Sequence, residues 1–252
     1  MIALSVNLNK IALIRNSRDT TNPDVVEHAR MALAAGADGI TVHPRPDQRH
    51  IRASDCFELN EMLRNEHPNV EFNIEGNPFA GFRRSEREDV SDYPGFMELV
   101  EIIRPAQCTL VPDGDAQLTS DHGFDLIADG EKVKPVIDAL HDMGVRVSLF
   151  MDPSADQIRL AAQLGTDRIE LYTEPYADAF KSGSGIEEQW QQYRDATALA
   201  TSLGVGVNAG HDLDLKNLPR FAEIEDLLEV SIGHALTVDA ISIGFSNAIE
   251  AY

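Results

Sequence analysis

Short alternating segments recur eight times along the chain, and in each one face is aliphatic while the other carries Ser, Asn, Thr, His, Glu, Arg or Gly. The first four are Leu4-Ser5-Val6-Asn7-Leu8-Asn9, Ile40-Thr41-Val42-His43, Phe72-Asn73-Ile74-Glu75 and Cys108-Thr109-Leu110. The others are Val145-Arg146-Val147-Ser148-Leu149, Arg168-Ile169-Glu170-Leu171-Tyr172, Val205-Gly206-Val207-Asn208 and Val230-Ser231-Ile232-Gly233-His234. Successive side chains of a strand point to opposite faces, so each segment predicts a strand that packs one side on helices. Stretches of helical period lie between them, at 25–35, 56–64, 96–103, 131–143, 154–164, 186–203, 217–228 and 237–250. Capping signals such as Asn22-Pro23-Asp24 and Ser54-Asp55 open them, and Gly36, Gly144, Gly165 and Gly204 close them. Strands alternating with helices in this way predict an α/β fold: a (β/α)8 TIM barrel with extra helices, as a single domain over 1–252.

The polar face is the informative one. An ordinary barrel of this kind fills its centre with Val, Ile and Leu. A polar centre requires either a hydrogen-bonded network or a polar ligand.

Composition narrows the function classes. With 43% hydrophobic residues the 252-residue chain can bury a full core. It has neither an apolar run near twenty residues nor a charged leader before an apolar stretch, so a soluble, cytoplasmic protein without a membrane partner is expected. Cys56 and Cys108 sit among apolar neighbours and read as buried thiols, with no zinc spacing. The formal net charge of −21 argues against nucleic acid and anionic membranes. Any anionic substrate must then be drawn in by local donors.

Two connections are long and polar, 76–93 after the third strand and 111–130 after the fourth, and the second is expected to be an active-site lid. Both leave the strand ends where barrel enzymes place their chemistry. His43 takes the last inward position of the second strand, followed by Arg45, Arg49 and His50, of which Arg49 is expected to be solvated. Glu75 ends the third strand facing inward. There it is either a partly desolvated acid–base group or the partner of a neighbouring Arg. Arg146, Arg168, Glu170 and Glu229 are expected to form a buried charge network at the barrel floor. Gly-His pairs at Gly210-His211 and Gly233-His234 end the seventh and eighth strands, the customary phosphate-binding position of such barrels. Asn7 and Asn9 face inward on the first strand, and Lys10 and Arg18 add positive charge beyond it. A Schiff-base role for Lys10, as in an aldolase, is open from the residues alone.

Together these motifs resemble the pyridoxine 5′-phosphate synthase family. The resemblance spans almost the whole chain and is carried by Val6-Asn7, Arg15-Asn16-Ser17-Arg18, the run Ala37 to His43, Arg49-His50-Ile51, Leu110-Val111-Pro112, Val147 to Phe150, Val207 to His211 and Ile232 to Ala235. It implies condensation of 3-amino-2-oxopropyl phosphate with 1-deoxy-D-xylulose 5-phosphate, without a cofactor or metal. By position it makes His43 and Glu75 proton acceptors and His211 the proton donor. It places Asn7, Arg18, Asp212, Gly233 and His234 on the aminoketone phosphate, and Asn9, Lys10, Arg45, His50 and Thr119 on the deoxyxylulose phosphate. A homo-octamer built from dimers is also implied. The commoner family pattern has Asp-His at Asn9-Lys10 and Gly at Asp212, so Asp212 is expected to act through its backbone with its carboxylate turned away. Against the synthase stand the Lys10 aldolase and a non-catalytic barrel that holds a phosphorylated vitamer.

Overall fold

A computed structural model of the chain describes residues 1–18, 20–114 and 117–252. Eight strands form one closed, all-parallel barrel in sequence order. They are β1 (Ala3–Asn7), β2 (Gly39–Val42), β3 (Glu71–Gly76), β4 (Gln107–Leu110), β5 (Arg146–Met151), β6 (Arg168–Tyr172), β7 (Gly206–Gly210) and β8 (Leu227–Ile232). β8 closes on β1 with Ser231 opposite Ser5. The first helices are α1 (Asn9–Asn16), α2 (Val25–Ala34), α3 (Ala53–Glu66), α4 (Phe96–Ile103), α5 (Leu126–Asp142) and α6 (Ala155–Leu164). α7 (Glu174–Ser182), α8 (Ile186–Ser202), α9 (Leu218–Phe221), α10 (His234–Ile243) and α11 (Phe245–Ala251) follow. The fold is thus a single-domain (β/α)8 barrel, as the alternation predicts.

The hydrophobic core lies between the strands and the helices, where Val6, Ile40, Ile74, Cys108, Leu149 and Ile169 are fully buried on the outward strand faces. Both cysteines are free and buried. The bore is mainly polar, with Phe150 and Tyr172 as an apolar cluster near its mouth. Ser5 and Thr41 share a 2.6 Å hydrogen bond, Asn73 donates to Thr41 at 3.3 Å and to Thr109 at 3.1 Å, and Thr109 donates to Glu170 at 3.3 Å. Ser5, Thr41, Asn73 and Thr109 therefore satisfy one another across the middle layer, which offsets the cost of burying them.

Several boundaries differ from those the sequence predicts. α1 and α7 are additions to the expected set. α1 buries Ile11, Ala12 and Arg15, and an arginine on the buried side hides the apolar stripe. The expected helix over 217–228 stops after one turn, because Leu227 already belongs to β8. The helix over 237–250 breaks at Gly244, whose φ of 90° cannot continue a helix. α5 starts at Leu126, so the last residues of the expected lid are helical and the loop proper ends at Asp125.

The four-charge floor network is corrected as well. Arg168 does pair with Glu229 at 3.1 Å and with Asn208 at 2.9 Å, but Arg146 pairs with Glu71 and Gln107. Glu170 lies a pleat higher, opposite Phe150 and Asn208, and opens into the cavity at the top of the barrel. A step of two residues along a strand moves a side chain between floor and mouth, and alternation alone does not specify that height.

Candidate active site

The C-terminal ends of the strands surround a cavity of about 350 Å³. Asn7, Asn9 and Lys10 reach it from the junction of β1 and α1, and His43, Arg45 and His50 from the exit of β2. Glu75 enters from β3 and Thr119 from the loop after β4. His211 and Asp212 follow β7, and Gly233 and His234 join β8 to α10. Of the residues singled out in the sequence, Arg18 stands apart: it is exposed at the far end of α1 and does not line this cavity. Arg49, expected to be solvated, lines it and donates to Gln117 O at 2.9 Å.

Each of these side chains has a local cause for its position. Asn7 Oδ1 accepts from the backbone N–H of Asn9 at 3.0 Å, which starts α1 directly at the strand end, and Asn7 Nδ2 donates to Glu75 at 3.3 Å. Asn9 Oδ1 accepts from the backbone of His43 at 2.9 Å, fixing where β2 ends. Beneath them Arg15 is buried in a bidentate pair with Asp55 and also donates to His50 O at 3.1 Å, while Asn16 reaches the same carbonyl at 2.7 Å. The loop that carries Arg45 and His50 is thereby tied to α1. Gly210 and Gly233 are glycines because of close approach. A β-carbon on Gly210 would lie 2.2 Å from Glu170 Oε1, and one on Gly233 would lie 3.0 Å from Asn7 Cβ. They make room for the side chains of Glu170 and Asn7 as well as for a ligand.

The electrostatics divide the titratable groups by role. Burial lowers the basicity of His43, and the positive charges of Arg45 and Arg49 nearby lower it further, so its imidazole is neutral. Its Nδ1 lies 3.8 Å from Glu75 and its Nε2 3.6 Å from Asp113. Burial likewise pushes the Glu75 carboxyl well above the usual range, helped by the negative charges of Glu170, Asp113 and Glu229. Glu170, also buried, is pushed up to about 7. His50 is driven down to about 3 by burial and then by Arg45, and its Nδ1 accepts from the N–H of Ile51 at 2.9 Å, which leaves the proton on Nε2. Glu170 is the cavity residue that the sequence reading assigns to the wrong level. Its inward phase on β6 is visible in the sequence, and Gly210, two residues beyond its partner Asn208 on β7, is the available clue to its height.

His211 has both ring nitrogens engaged. Nε2 is 3.0 Å from Thr119 Oγ1 and Nδ1 is 3.1 Å from Asp212 Oδ2. The carboxylate of Asp212 therefore turns onto His211 and does not point away as expected. Glu174, His211 and Asp212 place their ligand atoms within 4.8 Å of one another, and both ring nitrogens of His211 are already hydrogen-bonded.

The loop after β4 folds over the mouth. Ser120 donates to Asp113 at 3.0 Å, Arg45 pairs with the same carboxylate, and Arg45 also donates to Gln117 O at 3.1 Å. Asp115 and Ala116 of the expected lid lie outside the described residues. The long connection after β3 forms an antiparallel bridge between Arg83 and Tyr93. It walls a neighbouring cavity of about 480 Å³ that shares His43, Arg45 and Arg49 with the first. The acid–base groups converge on the first cavity.

A closed parallel barrel with acids, imidazoles and cations gathered at its C-terminal rim defines a (β/α)8-barrel enzyme. Solved barrels share this fold at low identity. A phosphoribosyl anthranilate isomerase matches with a TM-score of 0.53 at 14% identity over 98% of each chain. A tryptophan synthase α-subunit mutant from Pyrococcus furiosus matches with a TM-score of 0.57 at 12% identity, over 99% of this chain and 93% of that one. These show the fold alone. Residues 4–252 match the pyridoxal phosphate biosynthesis protein PdxJ family, and the chain belongs to that family. Pyridoxine 5′-phosphate synthase of Xanthomonas campestris pv. campestris (strain B100) is 53% identical over 99% of this chain and 94% of its own length. The protein of that name from Xylella fastidiosa (strain M23) is 48% identical over 99% of this chain and 92% of its own length.

Proposed function

We propose that this chain is a pyridoxine 5′-phosphate synthase, which condenses 3-amino-2-oxopropyl phosphate with 1-deoxy-D-xylulose 5-phosphate to pyridoxine 5′-phosphate, inorganic phosphate and water. The observation that carries the reading is the convergence of His43, Glu75 and His211 on one cavity. Ring closure joins the two substrates through an imine, then requires proton transfers, dehydrations and loss of one phosphate. Several acid–base groups must therefore face two anion sites in a space that excludes water.

The residues meet those demands. Neutral His43 accepts a proton, and Glu75, whose carboxyl burial holds well above the usual range, is the second proton acceptor, exchanging a proton with substrate near neutrality. His211 donates to a leaving oxygen. Asn7, the backbone of Asp212, Gly233 and His234 take the aminoketone phosphate at the start of α10, where unpaired amides and the helix dipole favour an anion. Asn9, Lys10, Arg45, His50 and Thr119 take the deoxyxylulose phosphate. Arg18 lies outside the cavity of the single chain and is left out of the assignment. The loop bearing Thr119 closes over both substrates. The chain works in the cytoplasm as a homo-octamer under this reading, and sedimentation reads its mass.

The test is product formation from the two substrates, followed by ring absorbance. Glu75→Gln is expected to lose turnover by roughly 10²-fold or more while the fold and phosphate binding persist. Near-normal product from that variant overturns the assignment. Borohydride trapping of substrate on Lys10 would establish the aldolase instead, because in the synthase the imine joins the substrates and not the enzyme.

A further inference from the structure

His211 and Asp212 follow one another at φ 84° and 60°, the left-handed region that glycine occupies without strain and a β-carbon does not. The turn is held there by its surroundings. Thr173 Oγ1 donates to Gly210 O at 2.8 Å and also to His211 O, and Asn217 Nδ2 donates to Asp212 O at 3.0 Å. An aspartate stands where glycine would fit the backbone better, and its Oδ2 lies 3.1 Å from His211 Nδ1. Strain kept at a position whose side chain contacts a reacting group is the signature of a functional constraint.

Resting on the reading of His211 as proton donor, we propose that Asp212 is its positioning residue. The Asp212 carboxylate accepts the Nδ1 proton, which fixes the ring tautomer and leaves Nε2 as the atom that hands over a proton. When the cationic ring gives its Nε2 proton to the leaving oxygen of the substrate, it returns to the neutral Nδ1–H form. In that form Nε2 accepts from Thr119 Oγ1, 3.0 Å away. The same logic orients the histidine of a serine-protease triad. Among the described residues, other groups face the ring without hydrogen-bonding to it. Tyr172 meets it edge-on with centroids 5.0 Å apart and Glu170 approaches from the bore. Glu174, at the start of α7, brings its carboxylate within 4.8 Å of the His211 and Asp212 ligand atoms, while His234 and Lys181 act on Asp212 itself. The hydrogen bond with His211 holds the Asp212 carboxyl below its usual range, so it is ionised throughout the neutral region.

Three variants test this: Asp212→Gly, Asp212→Asn and His211→Asn. Asp212→Gly suits the backbone and is expected to fold, to keep both KM values within about threefold, and to lose kcat by roughly tenfold or more. Added formate, which can occupy the vacated space beside Nδ1, is expected to restore part of that loss, an effect no structural role would produce. Asp212→Asn keeps the size without the charge and is expected to lose kcat as well. Wild-type kcat in either Asp212 variant, or a loss that formate does not touch, overturns the proposal. Normal turnover by His211→Asn would instead overturn the reading of His211 as donor. A dead His211→Asn beside a normal Asp212→Gly removes only the positioning role.

Discussion

Glu170 is a buried carboxyl that accepts a hydrogen bond from Thr109 and has no cationic partner at salt-bridge distance among the described residues. Burial raises it from an ordinary 4.5 to about 7. A carboxyl raised on folding supports the native state fully below its unfolded value, and that support is lost as pH rises through the folded value. Between about pH 5 and 8 the native barrel therefore loses stability from this group, and Glu75 beside it adds to the loss in the same direction. Replacing Glu170 by Gln keeps an acceptor for Thr109 and removes the titration. Glu170→Gln is expected to melt above the wild type at about pH 8, with the gap closing toward about pH 5. Thermal melts at the two pH values check this, and a gap that widens on acidification contradicts it. The same substitution is expected to slow turnover, so stability and activity move oppositely, as they do where a site is held under electrostatic strain.

Among the elements, the loop after β4 is anchored at its far end by Gly123. A β-carbon there would lie 2.5 Å from Met151 Cα and 2.5 Å from Asp152 N. This close contact allows Gly123 N to donate to Asp152 at 3.1 Å and Phe124 N to donate to Phe150 O at 3.0 Å. Gly123→Ala must lift the loop root off β5 and shift Thr119 away from His211. Faster proteolytic cleavage within 111–122 and a several-fold fall in kcat/KM are expected, with the far-ultraviolet signal of the barrel unchanged. Equal cleavage rates in variant and wild type would show that the root is not held this way. How much of this is legible in the sequence follows from element size. The strands and the helix over 96–103 are readable because their periodicity is carried by apolar residues. α1 is not, since its buried face includes Arg15 and its N-cap is Leu8 with no capping side chain, the first amide being taken instead by Asn7, a residue that reads equally as the end of a strand. His43 and Glu75 follow from inward phase at strand ends, whereas His211, on the opposite parity to Asn208, is marked by the Gly-His pair and the family resemblance. The level of Glu170 and the turned carboxylate of Asp212 do not, because the height of a side chain in the bore and the direction of a left-handed turn depend on neighbours far away in sequence.

At the scale of the whole molecule the field opposes the substrates. The formal net charge is −21, on a domain of radius about 20 Å, which places a unit anion at the surface about 4 kcal/mol uphill without salt and about 1 kcal/mol uphill at about 0.15 M. A doubly charged phosphate ester feels about twice that. Lys10, Arg45 and Arg49 supply the local cations of the cavity, and Arg45 and Arg49 are already partnered by Asp113 and Asp47. Close contacts are screened far less than the long-range field, so moderate salt weakens the repulsion more than it weakens capture. kcat/KM is therefore expected to rise severalfold as ionic strength goes from about 0.01 to about 0.1 M in a weakly coordinating salt, the reverse of the fall seen for an enzyme that steers its substrate. Sulfate at equal ionic strength should instead inhibit, because it competes for the amides at the start of α10 and for Lys10. Steady-state rates in the two salts separate these effects. A steady fall of kcat/KM in both would mean that local cations dominate the field out to the distance of first encounter.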